Sequence, residues 1–191
     1  MTVRILRAAG RAAAPWKNGG GVTREIAAGP EGAGMDTFAW RVSLADVGAD
    51  GPFSVFPEVT RVLTVVDGAG MELTAGGVPL RADKRFVPHR FAGDAATHGR
   101  LLDGPVVNFN VMYRDTLTEA LTSVVRGRLT VGVPPDATVL VVALDGTAAL
   151  EDAGAVLGPY DAAVVTGESP GVLRADGHTA LVTLRSRARS A

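Results

Sequence analysis

Apolar and polar residues alternate with a period of two along most of this chain, and each alternating stretch is short. Residues 22–26 put Thr23 and Glu25 on one face and Val22, Arg24 and Ile26 on the other, while residues 38–44 set Trp40, Val42 and Leu44 against Arg41 and Ser43. That period marks strands with one buried face. Residues 106–113 behave alike, with Asn108, Asn110 and Met112 pointing one way and Val107, Phe109 and Val111 the other. The same reading predicts strands over 3–6, 61–66, 71–74, 78–80 and 83–91, then 124–133, 138–144, 148–151, 154–157, 160–165, 171–174 and 179–184. Asp67-Gly68 and Asp145-Gly146 read as hairpin turns, and Asp176-Gly177 as a turn before His178. One short helix is predicted over 115–122.

A repeat sharpens the picture. Residues 62–68 (Val-Leu-Thr-Val-Val-Asp-Gly) are echoed by 140–146 (Leu-Val-Val-Ala-Leu-Asp-Gly), and each is followed by a strand, a glycine turn, a segment with an aromatic (Phe86, Tyr160) and a closing apolar strand. Two copies of one antiparallel module follow, and many short strands with Gly, Pro and Asp turns predict an all-β jelly roll rather than a parallel sheet.

Composition removes several function classes. The 191 residues carry a net charge of −1, which is not the electrostatic footprint of a nucleic-acid or anionic-lipid binder. There is no cysteine, hence no disulfide, thiolate metal site or cysteine nucleophile, which fits a reducing compartment. No apolar run has the length of a bilayer span, so a cytoplasmic protein without membrane contact is expected.

Local chemistry is sparse. The histidines are His89, His98 and His178, with no His-x-His pair, so no metal site is predicted. Ser43, Ser54 and Ser169 lack a nucleophile-elbow context. Gly19-Gly20-Gly21 leads into a strand, not into the helix that a phosphate loop requires. What remains is the dense stretch 15–25 (Pro-Trp-Lys-Asn-Gly-Gly-Gly-Val-Thr-Arg-Glu) and a set of polar groups on the polar phase of apolar strands: Arg41 and Ser43, Arg61, Thr23 and Glu25, Asn108 and Asn110. An arginine facing a barrel lumen is costly unless it meets an anion. A guanidinium, an amide donor and a tryptophan wall are the apparatus for holding a small carboxylate.

Residues 15–26, Trp40-Arg41-Val42-Ser43, residues 51–57, Arg61-Val62-Leu63 and residues 107–112, in this order, resemble the HutD/Ves family. The resemblance implies a double cupin (bicupin, RmlC-like) of two antiparallel barrels, often homodimeric, without catalytic metal histidines and without a cofactor. Residues 1–114 would form an N-terminal barrel carrying the ligand pocket and 115–191 a degenerate C-terminal barrel, the two making a single compact unit. It also implies an association with bacterial histidine utilisation and binding of a small carboxylate such as formylglutamate or urocanate. Carried onto this chain, the pocket would comprise Trp16, Asn18, Thr23, Arg41, Ser43, Arg61 and Asn110, with Arg61 as the carboxylate partner. Two alternatives stand beside this reading. One is a metal-free cupin isomerase or hydrolase of small organic acids, with Glu25 or His98 as general base. The other is an interaction protein with an empty barrel.

Overall fold

A computed structural model describes residues 2–167 and 169–187. Its seventeen strands are β1 (Thr2–Leu6), β2 (Ala13–Pro15), β3 (Gly21–Gly29), β4 (Trp40–Val47), β5 (Gly51–Pro52), β6 (Val59–Asp67), β7 (Met71–Ala75), β8 (Val78–Ala82), β9 (His89–Ala92), β10 (Thr97–Leu101), β11 (Val106–Arg114), β12 (Thr118–Val131), β13 (Ala137–Ala143), β14 (Ala148–Leu150), β15 (Ala155–Leu157), β16 (Ala162–Thr166) and β17 (Gly171–Ser186). Among the described residues the one helical segment is a single 3-10 turn, Glu151–Ala153. The all-β expectation holds, and every strand pairing is antiparallel.

The chain divides into two compact units, 12–117 and 1–11 with 118–191. In the first, a six-stranded sheet β2-β3-β4-β11-β6-β9 faces a four-stranded sheet β5-β10-β7-β8. Their common core takes Ala45, Val47, Leu63 and Val65 from the larger sheet and Met71, Leu73 and Ala82 from the smaller. These are the apolar positions that strand alternation turns to one side. In the second unit β1-β16-β13-β17-β14-β15 form one sheet, with β12 also on β17, around an apolar core that includes Val139, Val141, Leu150, Leu157 and Leu173.

Several expectations need correcting. Residues 1–11 do not belong to the N-terminal module, because β1 pairs along its whole length with β16. The boundary after 114 moves to Leu117/Thr118, and the single compact unit becomes two. The helix over 115–122 is absent: residues 115–117 turn and β12 begins at Thr118, where cross-strand partners on β17 override a weak local preference. Strands 171–174 and 179–184 are one strand, β17, running through Asp176-Gly177. Gly177 is there for space, since a Cβ would strike the Asp145 carbonyl and carboxylate. The strand over 83–91 shrinks to β9, and β10 was not foreseen.

The repeat has a backbone signature. Among the described residues, the non-glycine ones with positive φ are Glu58 (61°), Phe86 (66°), Asp136 (57°) and Tyr160 (65°). Glu58 and Asp136 precede β6 and β13 at the same offset as the two echoed sequences. The Phe86 N–H donates to the Val65 carbonyl at 2.8 Å and the Tyr160 N–H to the Ala143 carbonyl at 2.6 Å, again equivalent positions. Left-handed backbone is costly outside glycine. Its matched recurrence shows the two modules share a backbone path as well as a sequence echo.

Candidate ligand-binding site

The site lies within the first unit and is built by strand register. Arg41 pairs with Met112 and Met112 with Arg61, so these three form one row across β4, β11 and β6. Ser43, Asn110 and Leu63 form the next row, and Ala45, Asn108 and Val65 the third. Adjacent strands lie roughly 5 Å apart, which puts the two arginine backbones about 10 Å from each other with Met112 between them. Leu63 and Val65 lie in the apolar core, and Arg41, Met112, Arg61, Ser43, Asn110 and Ala45 from these rows line a cavity of about 550 Å³.

All seven sequence-predicted site residues line this cavity: Trp16, Asn18, Thr23, Arg41, Ser43, Arg61 and Asn110. Lys17 joins them, with an apolar wall that includes Phe53, Phe56, Met35 and Met112. The strand residues were legible from their phase. Met35, Phe53 and Phe56 come from irregular segments, and only the phenylalanines had a signal, as apolar anchors within the 51–57 connection.

Three phenyl rings surround the Arg61 guanidinium, with its carbon 5.1 Å from the Phe53 centroid, 5.2 Å from Phe91 and 5.6 Å from Phe56. Its Nη1 donates to the Ser54 carbonyl at 3.1 Å. No carboxylate among the described residues pairs with it. Loss of hydration without a counter-charge lowers its pKa to about 10, so it is still cationic at neutral pH. Arg41 is different. Its Nε donates to Glu25 Oε2 at 2.6 Å, so its charge is matched from outside the lining.

The glycine stretch positions the tryptophan. Gly19, at φ 71°, closes a turn in which its N–H donates to the Trp16 carbonyl at 3.0 Å, and the Trp16 N–H donates back to Gly21 at 2.9 Å. A Cβ on Gly21 would lie 2.6 Å from the Asp46 carbonyl and 3.1 Å from the indole, so only glycine lets Trp16 lie against this strand. The indole Nε1 donates to Thr23 Oγ1 at 2.7 Å, and Phe53 meets its ring edge-on at 6.1 Å.

Neither group named for the enzymatic alternative is in the cavity. Glu25 is held by Arg41 and His98 is exposed on β10. Asn108 sits below the floor, buried, its amide directed to Met71 Sδ at 3.3 Å and its Oδ1 without a partner. His89, beside Leu63, also lies outside the lining; burial lowers its pKa, a nearby Asp83 opposes this, and its Nε2 has no partner. Among the described residues no group of three or more His, Cys, Asp or Glu could hold a metal ion, and no helix is long and apolar enough to cross a membrane.

The HutD family model matches residues 8–183. The chain belongs to the HutD family. It is 40% identical over 111 residues to a 21.2 kDa protein of the hutC 3′ region of Pseudomonas putida, covering 58% of each chain. Over 118 residues it is 37% identical to protein Ves of Cronobacter sakazakii, covering 61% of this chain and 64% of that one. The matched stretch thus spans about three fifths of these curated relatives. HutD from Pseudomonas fluorescens SBW25 superposes with a TM-score of 0.88 at 34% identity, covering 98% of this chain and all of the other. At the level of fold alone, a nickel(II)-bound pirin from Escherichia coli (TM-score 0.70, 10% identity, 98% and 100% covered) and a cupin 2 conserved barrel domain protein from Leptotrichia buccalis (0.54, 12%, 87% and 89%) share the architecture. This HutD-family chain therefore has a cupin-like β fold.

Proposed function

We propose that this HutD-family bicupin binds a small carboxylate without transforming it, and so moderates histidine utilisation by holding a pathway intermediate such as formylglutamate or urocanate. One observation carries the reading. Arg61 is a cationic guanidinium, half-buried among three phenyl rings and paired with no carboxylate among the described residues, at the wall of a cavity large enough for a metabolite. A carboxylate guest supplies the missing charge through charge-assisted hydrogen bonds, with Ser43 and Asn110 in the adjacent row to orient it and Trp16 as a flat wall. The pathway assignment draws on the hutC-region relative and on the HutD structure. The intracellular setting and pairing as a homodimer belong to the same proposal.

The test is a thermal-shift and calorimetric screen of the wild type and Arg61→Ala against formylglutamate and urocanate. Saturable binding to the wild type, lost in a folded Arg61→Ala, is expected. Equal affinity in both proteins refutes the assignment of Arg61, and turnover of either compound by the wild type refutes the non-catalytic role.

A further inference from the structure

Of the three asparagines in this chain only Asn18 is followed by glycine; Asn108 and Asn110 precede Phe109 and Val111. The difference is chemical. The backbone nitrogen that follows an asparagine can attack the side-chain carbonyl carbon, and glycine in that place sets no side chain in the way. At Gly19 nothing lies within 4 Å of where a Cβ would stand, and Asn18 and Gly19 are both exposed. Asn108 and Asn110 lie on β11 between β4 and β6, so the nitrogens after them sit in a strand laddered on both sides and behind bulky side chains.

The turn also prepares the carbonyl. The Gly20 N–H donates to Asn18 Oδ1 at 3.1 Å, a bond that spans the Gly19 peptide and folds the side-chain amide back over it. A donor aimed at that oxygen draws electrons from the carbon and stabilises the negative charge that forms when a nucleophile adds. Lys17, adjacent in the chain, favours the deprotonated Gly19 nitrogen. What opposes attack is the donation of the Gly19 N–H to the Trp16 carbonyl at 3.0 Å, which has to open first. In an exposed turn such local opening costs little.

We propose that Asn18 is a site of spontaneous covalent modification that ages the cavity. The Gly19 nitrogen gives its proton to hydroxide and bonds to Asn18 Cγ. The Cγ–Nδ2 bond breaks, Nδ2 takes a proton from water and leaves as ammonia, and a cyclic imide remains. Water then opens the ring at either carbonyl, giving aspartate or isoaspartate. Each product adds a carboxylate to a wall that, among the described residues, holds Lys17, Arg41 and Arg61 but no acid. Isoaspartate also routes the main chain through Cβ, which lengthens it by one carbon inside the turn where Trp16 and Gly21 exchange their bond. The tryptophan wall is thereby unseated.

The full chain, incubated at mildly alkaline pH beside a synthetic peptide of residues 14–22 and an Asn18→Gln protein, tests this by peptide mapping, anion exchange and tryptophan emission. Asn18 is expected to convert at a rate within about tenfold of the peptide's, with Asn108 and Asn110 intact. The isoaspartyl fraction should show shifted emission. Asn18→Gln, which keeps an amide but not the ring-closing geometry, should hold its charge and spectrum throughout, and a wild-type melting temperature verifies its fold. Asn18 that stays intact in the folded chain after the peptide has converted overturns the proposal, as does conversion at Asn108 or Asn110 ahead of Asn18. An isoaspartyl fraction with the emission of fresh protein overturns the effect on Trp16. None of these outcomes depends on carboxylate binding, which the Arg61 variant tests separately.

Discussion

Replacing Arg61 with methionine separates what this residue does for the ligand from what it does for the fold. Holding the guanidinium pKa down to about 10 costs the folded protein roughly 3 kcal/mol at neutral pH. Against that stand the bond to the Ser54 carbonyl, about 1.5 kcal/mol for a charged donor, and contacts with three phenyl rings at about 0.5 to 1 kcal/mol each. The terms nearly cancel. A thioether also sits well among aromatic rings. Arg61→Met should therefore melt within about 4 °C of the wild type, the shift that about 1 kcal/mol produces in a chain of this size. Affinity for a carboxylate should fall by about 1.5 to 3 kcal/mol, roughly 10- to 150-fold, because the charge-assisted contact has no substitute. The pH dependence has a definite sign. The folded pKa lies below that of the unfolded chain, so the unfolded state binds more protons between the two values and wild-type stability rises with pH above about 10. Carboxylate affinity moves the other way, fading as the guanidinium loses its proton. Scanning calorimetry and titration calorimetry of both proteins from pH 7 to 11 give these quantities. A variant that melts 10 °C lower, or one that keeps wild-type affinity, refutes the account.

Three further outcomes follow from other contacts. Thr23→Val strands the Trp16 indole N–H, so stability should drop by about 1 to 2 kcal/mol, carboxylate affinity should fall, and the tryptophan emission should shift; an unchanged spectrum would show that the hydroxyl does not set the indole. Glu25→Gln leaves Arg41 unmatched and makes the cavity more cationic, so a carboxylate should bind a few-fold more tightly at low salt, with the gain vanishing near 1 M salt; calorimetry at two ionic strengths reads it. At Asp161, burial raises the carboxyl pKa, but N–H donation from Ala8, Arg7 and Gly158 outweighs it and the net shift is downward. That stability is present above the ordinary aspartate range and is lost as pH falls through the lowered value. Asp161→Asn should cost about 2 to 3 kcal/mol at pH 7 and flatten the acid limb of urea-melt stability between pH 5 and 2.

The readable parts of the chain were those where period two and burial agree. On β3, β4, β6 and β11 the polar phase carries Thr23, Ser43, Arg61 and Asn110 onto one face, so a pattern along the chain became a surface in space. Residues 83–88 defeated that reading because Phe86 takes a left-handed backbone and bonds to Val65, a tertiary arrangement that local alternation does not encode. β10 was missed because its outward positions, His98 and Arg100, flank a glycine, Gly99, that leaves room for the Phe53 ring. The helix expected over 115–122 lost to a fourteen-residue strand whose partners lie forty or more residues away. β1 was recognised as a strand, but its partner was not. Nothing within residues 2–6 points to 162–166, and pairing at that distance is settled only when the sheet closes.

The duplication explains why one module can bind and the other need not. Shifting Arg61 by the 78 residues that separate the two echoed sequences reaches Val139, which is 1% exposed inside the core of the second unit. The same shift takes Leu63 to Val141 and Val65 to Ala143, so apolar positions stay apolar and only the charged one changes. A buried arginine would cost the second module several kcal/mol without a guest to offset it. Valine there removes the cost and fills the space. In the first module Phe53, Phe56 and Phe91 instead wrap the guanidinium without neutralising it, which keeps the charge and the room beside it. Introducing arginine at Val139 alone should therefore unfold the second unit rather than create a second site, because the three rings that tolerate Arg61 are what a lone charge among Val141, Leu150 and Leu173 lacks. A Val139→Arg protein that melts within a few degrees of the wild type and binds a second equivalent of carboxylate would show that the asymmetry lies elsewhere.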